Sequence, residues 1–402
     1  MFLTPSYRQV DHGLFPRIVN GAQGLNPAVF MNNVPAPGSY EIDQAAFNME
    51  TERNDVPSPT NEWPGFGGRI DQRVANVGVL TNIRLFVSLS VVVSGSGTVT
   101  SLYPFPYGLL KNVYLNANGG TALIRANGND LRVRRQRLYR QPEEDLATAP
   151  NMDTTVAMSK TAPYRPKGKS FPGTIANGTY NVFFVVDLPI VHDPTSLTGA
   201  LFAQSDQNYL NYVIETAQVA DVFNVATGGE VVITGNVKAE STFFSIPYKN
   251  ANNTRVVVLP EAVRWLHEFI ATDNPFANNG EVQTPLVRNN GQLLAIYCFI
   301  DNGGAAQISP SALNYIKWAY AQNQVPRNYS PVQQLLEENQ RLYNGLLEPG
   351  YFCLDFEAEN WQRDGVYPRG LSELEVIVGI AAGTTINANA HVHIAQETLT
   401  TS

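Results

Sequence analysis

The longest regular pattern in the chain begins at Ile83. Ile83, Leu85, Val87, Leu89, Val91 and Val93 alternate with Arg84, Phe86, Ser88, Ser90 and Val92. Successive side chains of a strand point to opposite faces, so this run predicts a long strand with one buried face, ended by "SGSGT". "KNVYLNANGGTALI" predicts two short strands around an Asn-Gly-Gly turn. "GTYNVFFVVDL", "QNYLNYVIE", "GEVVITGNVKA" and "STFFSIPY" carry the β pattern to residue 248. A second β-rich half opens near "NANNTRVVVLP" and holds "GQLLAIYCFI", "GYFCLDFEAE", "LSELEVIVGIAA" and "NAHVHIAQE".

Four segments carry a helical period instead. Residues 129–141, "NDLRVRRQRLYRQ", predict a helix with Asn129 or Asp130 as cap and Pro142 as stop. "PEAVRWLHEFI", "SPSALNYIKWAYAQ" and "SPVQQLLEENQRLYNGL" predict helices in the second half. In the last, Ser330 reads as N-cap, Pro331 as first turn, and Gly345 lies near the exit. Residues 1–65 are rich in Pro, Asn and Gly and read as an extended arm with little regular structure. Three units follow: an N-terminal arm 1–65, a β unit 66–249 and a second β unit 250–402 with a C-terminal tail. No sequence repeat relates the two halves. The pattern is mainly β: two sandwiches, with helices in long inter-strand loops.

Composition sharpens this picture. Hydrophobic residues make up 44% of the 402, enough for a sizeable core, and charged residues only 15%. An average soluble chain carries roughly 25% charge, and a charge-poor surface suits contact with other protein. A net charge of −8 is not that of a general nucleic-acid binder, so direct sequence-specific nucleic-acid binding is not expected. Cys298 and Cys353 sit in apolar surroundings with no CxxC, which predicts two buried thiols and no zinc. "MFLTPSYRQVDHGLF" has no continuous apolar stretch of the signal-peptide kind. The most apolar run, "VFFVVDLPIV", is broken by Asp187 and Pro189 and too short to span a bilayer.

Three clusters are candidates for chemistry. His391, His393 and Glu397 spell H-x-H-x-x-x-E, the spacing that opens the metal motif of cupins. On a straight strand the two histidines share a face roughly 7 Å apart, but Glu397 lies roughly 20 Å from His391. "IAQ" between them offers no turn, and no third histidine follows, so no metal is expected here. The segment reads as a closing strand followed by a polar, Thr-rich tail, with His391 and His393 as candidate pH-sensitive contacts between subunits.

Asp355, Glu357 and Glu359 share a strand face near Trp361, a pattern that glycosidases use, though solvent-facing carboxylates are the commoner meaning. Arg132, Arg134, Arg135, Arg137 and Arg140 scatter around their helix, with Leu131 and Leu138 sharing one face. They read as a solvated or interface helix with Arg–carboxylate pairs. His192 precedes an Asp193-Pro194 turn, and no G-x-S-x-G, Walker A or dinucleotide glycine motif appears. Neither an enzyme nor a cofactor is predicted.

Several longer stretches share a resemblance. "RVANVGVLTNIRLFVSLSV", "VVDLPIVHDPTSLTGALFAQSDQNYLNYVIE", "AIYCFIDNGG" and "LEPGYFCLDF" resemble, in order, blocks of the major capsid proteins of tectiviruses, tailless icosahedral phages with an internal membrane. The likeness spans residues 73–402 and leaves out the arm. It implies a double jelly roll of two eight-stranded sandwiches. It further implies a homotrimer forming a pseudo-hexagonal tile, neighbouring capsid trimers, and minor capsid, vertex or membrane proteins as partners. The place implied is the virion shell, assembled in the cytoplasm of a prokaryotic host. Arg8 and Arg17 on the arm would then face anionic lipid of the internal membrane or a neighbouring subunit. A carbohydrate-binding or carbohydrate-active jelly roll is the alternative.

Overall fold

The structure is a computed structural model. It describes residues 40–102, 105–117, 121–139, 173–203, 209–251, 254–260, 265–287, 291–303, 308–320, 324–343, 350–357, 366 and 373–401. Arg8 and Arg17 lie outside these residues, as do Arg140, Pro142, Glu359, Trp361 and Gly345.

Among the described residues, sixteen strands build two sandwiches. The first holds β1 (Arg53–Pro57), β2 (Arg69–Arg73), β3 (Val79–Gly95), β4 (Leu110–Ala117), β5 (Thr121–Ala126), β6 (Gly178–Leu188), β7 (Leu210–Thr216) and β8 (Gly229–Phe244). The second holds β9 (Trp265–Pro275), β10 (Gly280–Pro285), β11 (Gln292–Asp301), β12 (Leu313–Tyr320), β13 (Gln324–Tyr329), β14 (Tyr351–Asp355), β15 (Glu375–Ile380) and β16 (His391–Thr401). In the first, the sheets run β1-β8-β3-β6 and β2-β7-β4-β5; in the second, β9-β16-β11-β14 and β10-β15-β12-β13. The order is the same in both. It is the order of a long hairpin rolled into two facing sheets, a jelly roll. A helix occupies the same slot in each, after the fifth strand: α1 (Gly128–Tyr139) and α2 (Gln333–Tyr343). The repeat that the sequence conceals is therefore structural.

The two rolls are fused. β9 of the second pairs in parallel with β5 of the first, Phe269 against Ile124 and Ile270 against Arg125. One sheet of each roll thereby joins into a single eight-stranded sheet, β14-β11-β16-β9-β5-β4-β7-β2. Each roll has its own apolar interior. β3 alternates buried and half-exposed positions along most of its length, as its sequence predicts. In the second roll Ile296, Cys298, Ile300, Phe352, Leu354, Val392 and Ile394 fill the sandwich. Tyr297, Tyr351, Cys353 and Ala395, on the other face of the same strands, belong to the core shared with the first roll. That sheet is buried on both faces because α1 and the first roll cover its outer side.

Four expectations differ from the structure. "PEAVRWLHEFI" is strand from Trp265 onward. "SPSALNYIKWAYAQ" forms a single 3-10 turn, Pro310–Ala312, and then β12. The register of β12 against β15 shifts between Leu313 and Tyr315, and against β13 between Trp318 and Tyr320. These shifts break the period of two, so its buried positions mimic helical spacing. The third departure is in the arm. Asp43 caps a short helix, Gln44–Glu50, that buries Ala46 and Phe47, and residues 53–57 pair with β8 as a full member of the first roll. The fourth is the Thr-rich tail, which is no free tail. β16 runs to Thr401, with Glu397, Thr398 and Leu399 buried.

Candidate functional site: the ionic junction between the rolls

The junction is built on α1. Its cap is Asn127, not Asn129 or Asp130. The Asn127 side chain accepts from the Asp130 amide at 2.8 Å, and the Asp130 carboxylate accepts from the Asn127 amide at 3.0 Å. This reciprocal pair closes two of the amide groups that a helix start leaves open. The helix it starts is neither solvated nor one-sided. Leu131, Arg132, Val133, Arg134, Gln136 and Arg137 are all buried, because α1 lies between the first roll and the outer face of β9-β16-β11-β14. Arg132 stacks over the Tyr107 ring at 4.7 Å.

Arg137 is the centre. Its Nε and Nη2 donate to the two oxygens of Asp355 at 2.9 and 2.8 Å, and its Nη1 donates to Glu397 Oε2 at 2.9 Å. Nη2 also reaches Glu357 at 3.4 Å. Arg134 donates to Glu397 Oε1 through Nε at 2.9 Å and Nη2 at 2.6 Å. Tyr297 donates to Glu397 Oε2 at 3.1 Å, and Tyr343, from α2, donates to Asp355 at 2.5 Å. Glu397 has no exposed side-chain surface. Burial alone would raise its carboxyl, but Arg134, His192, His267 and Arg137 hold it well below the usual range. Burial likewise opposes ionisation of Asp355, and Arg137 outweighs it.

Two histidines complete this cluster. His192 faces a carboxylate with each nitrogen: Glu357 from Nε2 at 3.1 Å and Glu397 from Nδ1 at 3.3 Å. Only an imidazolium donates to both. Burial pulls His192 down, but its bonds to Glu357 and Glu397 lift it to about 9. His267 lies between the Pro189 carbonyl, 2.7 Å from Nδ1, and Glu397, 2.9 Å from Nε2. Burial, together with the charges of Arg134 and His192, keeps it below its ordinary value. A neutral ring carries one N–H and satisfies one of these acceptors. Gly199 makes the close fit feasible: a Cβ there would lie 2.8 Å from the His267 Cβ, and its φ of +92° favours glycine.

A second centre surrounds His393. Its Nε2 meets Asp130 of α1 at 2.8 Å, and its Nδ1 meets Asp273 of β9 at 2.5 Å. Burial opposes the charged ring, but Asp130 and Asp273 raise it to about 10. Tyr351 donates to Asp130 at 2.9 Å. His393 is thus a cation at neutral pH, buried inside its own chain, and not a contact between subunits that switches near neutral pH. His391, half-buried, lies 3.8 Å from Asp273.

These contacts revise the three clusters read from the sequence. His393 and Glu397 do share a face of one strand but serve different centres. Asp355 and Glu357 are not solvent-facing: they are buried under α1, paired to Arg137. Arg134 and Arg137 pair with carboxylates as an interface helix would, but the interface is internal.

His192, His267 and Glu397 place three ligand-type atoms within 4.8 Å of one another. Charge argues against a cation there. Asp355, Glu357 and Glu397 are three negative charges, and Arg134, Arg137 and the His192 imidazolium are three positive ones. Glu397 Oε1 is already occupied by both Arg134 donors. The cluster is a charge-balanced ionic network, not a vacant ligand set, although Glu357 Oε1 is buried without a hydrogen-bond partner. Cys298 and Cys353 are buried, with thiols pushed up by burial, Cys298 to about 12.

No protein-family model matches the sequence, and no curated protein does. Solved structures do match the fold. The chain is similar to the STIV MCP, with a TM-score of 0.57 at 14% identity over 88% of this chain and 97% of that one. It is similar to a chain of the Sulfolobus Turreted Icosahedral Virus structure, with a TM-score of 0.59 at 13% identity over 88% and 91%. PBCV-1 VP54 gives 0.56 at 10% identity over 92% and 96%. Two identically ordered sandwiches among the described residues, matched over nearly the full length of these structures, show that this chain has the double jelly-roll fold.

Proposed function

We propose that the chain is a major capsid protein, a structural protein and not an enzyme, that builds an icosahedral virion shell. The observation that carries this reading is the fusion of two equivalent jelly rolls side by side through one continuous sheet, in the fold of the STIV MCP. The ionic junction supports it. A tile must hold its two halves at one angle, and a network of directional charge pairs does so where a purely apolar seam would tolerate sliding. The finer reading is a homotrimer with a pseudo-hexagonal outline, of the tectivirus kind, around an internal membrane in a prokaryotic host. Its contacts would be neighbouring trimers and minor capsid, vertex or membrane proteins. Arg8 and Arg17 would meet anionic lipid or a neighbouring subunit.

Negative-stain images of purified protein test this. Three-fold tiles with a hexagonal outline are expected, and protein that stays monomeric at micromolar concentration would overturn the trimer. Two of the three carboxylates behind the carbohydrate alternative, Asp355 and Glu357, are held in buried ion pairs, and the third, Glu359, lies outside the described residues.

A further inference from the structure

The first roll holds buried polar groups that the ionic junction does not use. Tyr212 stands on the inner face of β7 with Leu210 and Ile214, and none of its surface is exposed. Its hydroxyl has no hydrogen-bond partner. Trp63 is 7% exposed, and its indole N–H is unpaired. The amide nitrogen of Asn61 is buried and unpaired as well.

A bulge brings them together. β1 pairs with β8 as far as Pro57 opposite Glu240, and the chain pairs with β8 again from Asn61 opposite Val237. Residues 58–60 thus face only 238 and 239, one residue too many on their side. Pro57 and Pro59, which have no N–H to give to a ladder, flank this irregularity at the sheet edge. Beyond it, Asn61 and Trp63 are two residues apart and share the inward side, opposite Val237 and Gly235. From this segment Ser58 and Asn61 face the Tyr212 oxygen. Burial pushes the Tyr212 phenol up to about 12, against the pull of these two neighbours. Neither meets it in bonding geometry. Ser58 also lines an open cleft of about 360 Å³ between residues 56–59 and 73–76, where β1 and β2 end their sheets.

We propose that this corner is a fixed solvent site: one water bridges the Tyr212 hydroxyl, the Asn61 amide and the Trp63 indole N–H, and ties the bulged segment to the facing sheet. Chemistry selects the ligand. Indole and amide N–H groups only donate, so their partner must accept, while a phenol both donates and accepts. A water accepts two bonds and donates one, and buried waters make about three bonds to groups otherwise unpaired. Tyr212, Asn61, Trp63 and Ser58 are all neutral, so an ion buried among them would lack a counter-charge. An apolar molecule would leave every one of these donors desolvated and unpaired. The cleft beside Ser58 is the route by which the water exchanges. The site lies within one chain and stands apart from the coat reading.

The test joins a crystal structure of the full chain to water magnetic relaxation dispersion, which counts long-lived internal waters. Density for a water within hydrogen-bonding distance of Tyr212 and of Asn61 or Trp63 is expected in the wild type. Tyr212→Phe with Asn61→Leu leaves that water a single partner, so the count per chain should fall by one, with melting temperature as a check on folding. In wild-type protein labelled on its indole nitrogens, the Trp63 N–H should show an Overhauser contact to water, and Trp63→Phe assigns the signal. The wild-type density and this contact decide the matter even where the double variant does not fold. Tyr212 bonded directly to Ser58 or Asn61, with no solvent between them, would overturn the proposal. So would an unchanged water count in the folded double variant. Density that takes on an anomalous signal after a bromide soak would assign the site to an anion held with Arg73 of the cleft, and would overturn the water.

Discussion

Replacing Arg137 with Met keeps most of its volume and removes its charge. The side chain gives up bonds to Asp355, Glu357, Glu397 and Tyr297, all buried. The cluster moves from balance to one uncompensated negative charge. Removing one partner of a buried charge pair costs about 3–5 kcal/mol, because the other charge stays desolvated. The unfolding entropy of a globular chain is about 2.1 cal/mol/K per residue, hence about 0.8 kcal/mol/K for 402 residues. The melting temperature should therefore fall by about 4–6 °C by differential scanning calorimetry. Adding Glu397→Gln restores the charge count, so the double variant should lose less than the sum of the single losses, with a coupling of about 1–3 kcal/mol. An Arg137→Met melting point within about 1 °C of wild type, or above it, would refute the reasoning. It would mean that desolvation already cancels the pairing, as happens when whole buried networks are replaced by apolar residues.

Three further outcomes follow from the junction. His192 and His393 are raised to about 9 and about 10, so their stabilisation is complete below their unfolded value of about 6.5 and is lost as pH rises through their folded values. Melting temperature should fall between pH 7 and 10, and His393→Gln should flatten that slope; an equal slope in the variant would count against the assignment. Asn127→Ala, which removes the reciprocal cap of α1, should cost about 1 kcal/mol in urea unfolding, and no change would show the cap to be redundant. Protein purified in the presence of zinc should carry no stoichiometric metal by elemental analysis after desalting. One zinc per chain that His267→Ala abolishes would overturn the ionic-network reading.

The fold was legible wherever one strand face met a core and the other met water. β3 shows this, with Val87, Leu89 and Val91 inward and Ser88 and Ser90 outward. Legibility failed where both faces are buried or the register slips. β9 alternates in burial from His267 to Ala271, but its sequence hides this, because His267, bound to Glu397, takes a buried position and Ile270 a half-exposed one. β12 loses its period at its two register shifts. The site was legible by halves. Period two put His393 and Glu397 on one face, and the arginine run marked α1. What no local pattern holds is that the partners come from positions far apart: Arg134 to Glu397 spans 263 residues and Arg137 to Asp355 spans 218. A signal was nonetheless present. Asp355 is embedded in "YFCLDF", where its neighbours are apolar on both faces, and a carboxylate so placed needs a buried cation. In a chain with 15% charge, the run of arginines from Arg132 to Arg140 is the natural source.

The same reasoning explains why the charge is concentrated there and scarce elsewhere. An apolar junction between two rolls would be at least as stable as an ionic one, since burying charge costs several kcal/mol per ion before pairing returns it. Apolar contact, however, is non-directional and would fix the angle between the rolls only loosely. Arg137 reads position along three directions at once, through Asp355 on β14, Glu397 on β16 and Glu357 beyond β14. His393 reads a fourth, between α1 and β9. A slide of one roll by a single residue would bring Leu354 or Phe356 to the place of Asp355 and Val392 or Ile394 to the place of His393, and strand several buried charges. The junction thus trades stability for one allowed geometry. That trade suits the proposed coat subunit, whose outer surfaces would meet identical copies at fixed angles.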